Sequence, residues 1–143
     1  MNRIYLPSSD ISPEEKIRQD HEHAVRKNSV FSEEISVKLT SLANGIQKNI
    51  SLRDLEFSKI SLFKKAVLNS LMEIPCGQTV SYGELAEKAG FTGAARAVGN
   101  ALSSNPFPLA IPCHRVVRAD GAAGFYQGGM VMKKHLLEAE SGR

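Results

Sequence analysis

Residues 81–101 constrain this chain more than any other stretch, because two helix starts and a glycine stop fall in one short window. Ser81-Tyr82-Gly83-Glu84 is a capping box, in which the serine hydroxyl and the glutamate carboxylate pair backbone N–H groups that a helix start leaves free. The helix it opens is expected to run to about Ala89, with Gly90 as the left-handed C-cap residue. Thr92 is then expected to cap a second short helix carrying Ala94, Ala95, Arg96, Ala97, Val98, Gly99 and Ala101. Two short helices joined through a glycine turn make a helix-turn-helix candidate. The second is rich in small residues, which let a backbone come close to another surface. That surface is either a neighbouring helix or the floor of a nucleic-acid groove.

The rest of the chain fills in around this pair. Ser12-Pro13-Glu14-Glu15 opens a polar helix to about Lys27, and Ser32 opens a better-patterned one with Ile35, Leu39, Leu42 and Ile46 at helical spacing, stopped by Asn44-Gly45. Arg3–Leu6 is a strand candidate, and residues 46–60 read as loop with room for a strand. Ser61 caps a further helix with Phe63, Val67 and Leu71 on its inner face, ended by the turn Pro75-Cys76-Gly77. Beyond Asn105-Pro106-Phe107-Pro108 the prolines impose an extended path, and the apolar residues flanking Cys113 suggest short strands. A glycine-rich stretch from Gly121 to Gly129 leads into a terminal helix with Leu136, Leu137 and Glu140. The expected architecture is α+β and mostly helical, divided into a reduced N-terminal helical segment (1–53) and a C-terminal domain (54–143).

At 143 residues and 42% hydrophobic, the chain has enough apolar material for one core without disulfides, and wholesale disorder is excluded. Its apolar runs are far shorter than the ~20 residues of a membrane span. The start, Met1-Asn2-Arg3-Ile4-Tyr5-Leu6-Pro7, has no secretory apolar stretch, so a cytoplasmic protein with no membrane partner is expected. The net charge of +3 is unevenly spread: residues 1–60 hold nine basic and nine acidic residues, whereas residues 61–143 hold nine and six. Lys88, Arg96, Arg115, Arg118, Lys133 and Lys134 face only Asp120 along the sequence, a balance suited to a polyanion or to a solvated surface.

Two cysteines are present, Cys76 and Cys113. A thiol reacts as its thiolate, and Cys113 has His114 and Arg115 beside it to favour that form. Neighbours on an extended strand point to opposite sides, so contact between Cys113 and His114 requires a bend or a bridging water. Glu140 is a candidate to orient the imidazole. The alternative is a buried thiol that only fills space. Cys76, between proline and glycine, reads as incidental. A zinc site from Cys76, Cys113, His114 and His21 or His23 lacks the short paired spacings of such sites.

Ile111-Pro112-Cys113-His114-Arg115-Val116-Val117 resembles the active-site signature of the O6-alkylguanine-DNA alkyltransferases, the methylated-DNA–protein-cysteine methyltransferases. Ser81 through Ala86, Ala94 through Gly99, Asn105-Pro106 and Gly124 through Gly129 are similar to that family's other motifs, in its order and at its spacing, over roughly residues 54–140. The resemblance implies a winged-helix-like alkyltransferase domain that repairs DNA directly, once per molecule, with no metal or organic cofactor. It implies Cys113 as nucleophile and alkyl acceptor, ionised at the base of a cleft, with His114 as base through a water, Glu140 orienting it, and Tyr82 as donor to the leaving guanine. Asn105, Pro108, Val116, Gly124, Tyr126, Gln127 and Gly128 correspond to the guanine pocket, Asn105 tying the loop to the helix pair. Thr92, Ala94, Ala95, Ala97 and Gly99 correspond to the helix that enters the minor groove, and Arg96 fills the stack left by the flipped nucleotide. The implied partner is double-stranded DNA containing O6-alkylguanine, bound by a monomer. The rivals are a lesion-binding relative without transfer activity and a plain helix-turn-helix regulator. Two features differ from the family pattern: the N-terminal region is short, and Gln127 stands where a small residue is usual after the loop tyrosine.

Overall fold

The computed structural model describes Glu15 and residues 60–142. Glu15 is helical and exposed, as its place in the first expected helix requires. The remaining N-terminal expectations, the Arg3–Leu6 strand, the Ser32 helix, His21, His23 and the 53/54 boundary among them, lie outside the described residues.

Helix α1 (Leu62–Met72) starts where Ser61 Oγ accepts from the Lys64 amide at 3.3 Å and buries Val67, Leu68 and Leu71. Strand β1 (Val80–Ser81) leads directly into α2 (Tyr82–Lys88). Both bonds of the capping box are formed there: the Glu84 amide donates to Ser81 Oγ at 3.2 Å, and the Ser81 amide donates to Glu84 Oε2 at 2.7 Å. Helix α3 spans Ala95–Ser103. Its start corrects one expectation. Ala94, not Thr92, is the N-cap, and it makes no side-chain cap bond. The displacement follows from Gly93, which takes a left-handed conformation (φ +80°) after Gly90 has already done so (φ +85°). The connection therefore turns twice before the helix begins, and Thr92 sits exposed in the turn.

A second correction concerns the segment around the cysteine. Instead of lying on a strand, Cys113–Arg115 form one turn of 3-10 helix, held by bonds from the Cys113 amide to the Ile111 carbonyl (2.8 Å) and from the Arg115 amide to that of Pro112 (3.0 Å). Pairing is confined to a single bridge between Pro108 and Ile111 before the turn, and to strand β2 (Val116–Val117) after it. Strand β2 runs parallel to β1 with Val80 opposite Val116 and Ser81 opposite Val117. This register sets the start of α2, and so Tyr82, beside the segment that carries Cys113.

Helix α4 (Gly129–Glu140) closes the fold. The core joins Leu68 and Leu71 of α1, Leu85 of α2 and Val98 of α3 to Phe107, Ile111, Val116 and Leu136. Burying side chains of this size stabilises by about 1.5–3 kcal/mol each, which fixes the turn carrying Cys113 from several sides. The result is a helix-rich α+β unit. No described helix is long and apolar enough to cross a membrane.

Candidate active site

The 3-10 turn supplies the bend that an extended strand denied. It sets Cys113, His114 and Arg115 in the interior, and α4 brings Glu140 to them from 25 residues downstream. Glu140 Oε1 accepts from His114 Nε2 at 2.9 Å and from Arg115 Nη2 at 2.7 Å, while Oε2 accepts from Arg115 Nε at 2.9 Å and from the Gly77 amide at 3.3 Å. Arg115 is completed by a 2.6 Å bond from Nη1 to the Ile74 carbonyl. The fork-to-fork geometry of Arg115 and Glu140 is the strong form of this pairing. Burial by itself would raise the Glu140 pKa. The hydrogen bonds from His114 and Arg115, with their charges, outweigh it and hold the carboxyl at about 2.

An ionised Glu140 only accepts, so His114 Nε2 carries the proton of that bond. In the neutral imidazole Nδ1 is then a lone pair. Nδ1 is buried with no hydrogen-bond partner, and so is the hydroxyl of Tyr126, whose ring meets the imidazole edge-to-face at 6.3 Å. Buried orphans of this kind mark a place where another molecule is received or a proton is moved.

Cys113 itself is only 6% exposed. Burial raises its thiol pKa, against the opposing influence of a hydrogen bond with Asn105 and the charge of Lys133. This runs against the expectation of a resting thiolate, because burial disfavours the ionised sulfur. Lys133 is the residue that sequence reasoning missed. It was grouped with surface charges, yet it is wholly buried, and its Nζ donates to the Val116 carbonyl at 2.6 Å. Burial pulls its pKa down to about 8 even though Cys113 pulls it up. Helical spacing held the clue, since Lys133, Leu136 and Glu140 recur on one face of α4.

A small pocket ends at Cys113. Tyr82, Gly99, Leu102 and Ser103 line it together with Phe125, Tyr126 and Gln127. It leaves about 10 Å³ of open room, enough for one water. Burial, and then Cys113, raise the pKa of Tyr82, which keeps its phenol protonated and able to donate. Gly124 has φ +65°, and a Cβ there would sit 3.0 Å from the Tyr82 hydroxyl, so glycine is needed for both reasons.

Of the residues expected in the pocket, Tyr126 and Gln127 line it. Asn105, Pro108, Val116, Gly124 and Gly128 do not. Asn105 is fully buried; its Nδ2 donates to the Ile111 carbonyl at 3.1 Å and its Oδ1 accepts from the Phe107 amide at 3.0 Å, which ties down the approach to Cys113. The same approach contains Leu109, buried and in the left-handed region at φ +71°, a strained position for a leucine. Leu102, Ser103 and Phe125 line the pocket without having been expected there.

Along α3 and its cap, Arg96 and Ala97 are exposed, Ala94 and Ala95 are half-buried, and Gly99 faces the Tyr82 ring, which a Cβ there would meet at 3.8 Å. The small residues thus serve both a packed face and an open one. The basic patch contracts: Arg115 and Lys133 point inward, and Arg118 pairs with Asp120 at 3.1 Å. Arg96, Lys88 and Lys134 remain on the surface. Among the described residues no three His, Cys, Asp or Glu side chains converge as metal ligands.

Residues 62–142 match the family model of the 6-O-methylguanine DNA methyltransferase DNA-binding domain. A methylated-DNA–protein-cysteine methyltransferase from Methanothermobacter thermautotrophicus is 47% identical over 97 residues, which are 68% of this chain and 54% of that relative. The crystal structure of the Mycobacterium tuberculosis O6-methylguanine methyltransferase superposes with a TM-score of 0.73 at 36% identity, covering 87% of this chain and 74% of that one. The same organism's protein in complex with DNA gives 0.68 at 39% identity, covering 78% and 68%. This chain spans about half the length of the curated relatives it matches. With the family's DNA-binding domain occupying more than half of it, the chain belongs to the methylated-DNA–protein-cysteine methyltransferases.

Proposed function

We propose that this chain repairs DNA directly, moving the alkyl group of O6-methylguanine onto Cys113 irreversibly. One observation carries the reading: a thiol at the end of a pocket is followed in sequence by an imidazole whose Nε2 is fixed on Glu140 and whose buried Nδ1 is unpartnered. The thiol proton passes to Nδ1 through a water, and the sulfur attacks the methyl carbon. The new S–C bond forms as the C–O6 bond breaks. Tyr82 gives its proton to the guanine as the base leaves with the electron pair. The product is a thioether, so each molecule acts once.

The reacting carbon is inaccessible inside a duplex, and extruding the nucleotide costs a few kcal/mol. Helix α3 suits this task, because its exposed face carries Arg96 beside Ala97. In the minor groove a narrow, small-sided helix fits, and the degenerate readout there suits a protein acting in any sequence context. Arg96 takes the place vacated in the stack. The chain acts as a monomer in the cytoplasm, and the residues it uses need no cofactor.

Intact-mass measurement after mixing with O6-methylguanine duplex is the test. A gain of one methyl group per chain is expected. Tight binding to the lesion with no gain in mass would instead identify a lesion-binding protein.

A further inference from the structure

The pocket next to Cys113 has room for about one water, and one side chain ties two of its lining segments together. Gln127 Nε2 donates to the Asn105 carbonyl at 2.9 Å and to the Leu102 carbonyl at 3.4 Å, linking the loop of Tyr126 to the C-terminal end of α3. Gln127 and Leu102 both line the pocket, and Asn105, which takes the shorter bond, lies just past the end of α3. The post it grips is rigid, since Asn105 is fully buried with its own amide bonded on both sides. The other end of the loop is held separately, where Gly124 packs under the Tyr82 hydroxyl.

We propose that Gln127 is a latch across the pocket mouth, setting how far the loop opens over Cys113 and how large an O6 substituent is accepted. This rests on the repair reading for its substrate, although the latch itself is a property of the closed pocket. A purine needs far more than 10 Å³, so the loop and α3 must part to admit one. With the amide bonds intact, parting is small and a methyl group is favoured. A benzyl group requires both bonds to break. Their loss removes that cost for the large substituent more than for the small one.

Two variants separate hydrogen bonding from bulk. Gln127→Leu keeps a side chain of comparable size that cannot donate, and Gln127→Ser removes the reach altogether. Two probes are used with each: iodoacetamide, whose reaction at Cys113 needs no DNA, and free O6-benzylguanine set against an O6-methylguanine duplex. Both variants are expected to alkylate at Cys113 roughly tenfold faster than wild type, with thermal midpoints close to it. Both are expected to raise the ratio of benzyl to methyl transfer by about tenfold, whatever happens to either rate alone. Wild-type iodoacetamide rates in both variants would overturn the latch, even for a protein that transfers no methyl group. An effect in Gln127→Ser without one in Gln127→Leu would overturn it as well, leaving only steric bulk. Absence of methyl transfer in the wild type, with faster alkylation in both variants, would refute the repair reading and retain the latch.

Discussion

The two thiols of this chain lie on two turns that both reach Glu140, and they differ in everything that matters for reactivity. At Pro75-Cys76-Gly77, Cys76 is half-buried; burial, then the negative charge of Glu140 and a hydrogen bond with it, raise its pKa, with Arg115 and the Gly77 backbone opposing. At Cys113–Arg115 the thiol pKa is also raised by burial, but Asn105 and Lys133 act in the other direction, and among the described residues no carboxylate contributes. Instead Glu140 holds His114, the residue that follows Cys113, so the same carboxylate that suppresses one thiol leaves the neighbour of the other with a lone pair. Cys113 also ends a pocket. A nucleophile is thus made less by its resting pKa than by what takes its proton and what is held against it.

Removing each sulfur tests the contrast at its widest. Cys113→Ser is expected to abolish methyl transfer while retaining lesion DNA binding, measured by intact mass and by gel shift. Next in size is Glu140→Gln, which unlatches His114 and strands Arg115. A roughly thousandfold loss of transfer rate is expected, with a stability loss of about 3 kcal/mol by denaturant unfolding. The wild type carries a matching pH signature. Glu140 is depressed to about 2 in the folded state, so its contribution is complete above the unfolded carboxyl pKa and drains away as pH falls from there toward 2. Thermal midpoints across that window should drop in the wild type and flatten in Glu140→Gln.

Smaller effects sharpen the comparison. Arg96→Ala is expected to slow repair of the duplex roughly a hundredfold, yet leave reaction with a free modified base nearly unchanged, because only the duplex must be opened. Equal losses on the two substrates would remove Arg96 from the insertion role. Lys133→Met takes the buried cation away from Cys113. Its thiol should then titrate higher, seen as a roughly tenfold fall in iodoacetamide rate near neutral pH. Cys76→Ser should be the mildest, within about twofold of wild type in transfer rate.

Much of this arrangement was legible before the fold. The starts of α1 and α2 were readable because capping is local: Ser61, Ser81 and Glu84 bond within three residues of themselves. The start of α3 was misplaced because Gly93 adopts a left-handed turn that the threonine before it does not announce. The cysteine, its histidine and Glu140 were readable as a motif, but the 3-10 turn that lets them cooperate was not, since the flanking apolar residues fit a strand equally well. The sequence places Arg115 beside Cys113 and both Arg115 and Lys133 in a basic stretch suited to a polyanion or a solvated surface, which does not announce their burial. Their partners lie 25 and 17 residues away, beyond local spacing, and only the helical face that Lys133 shares with Leu136 and Glu140 hinted at burial. The crossing of Gln127 to Asn105 is hidden for the same reason.

The claim beneath all of this is that methyl groups end on one of two sulfurs and not the other. Peptide mapping after exposure to duplex DNA carrying an isotope-labelled O6-methylguanine reads that directly. Label confined to the Cys113 peptide is the expected result; label on the Cys76 peptide, or none on the protein, would contradict it.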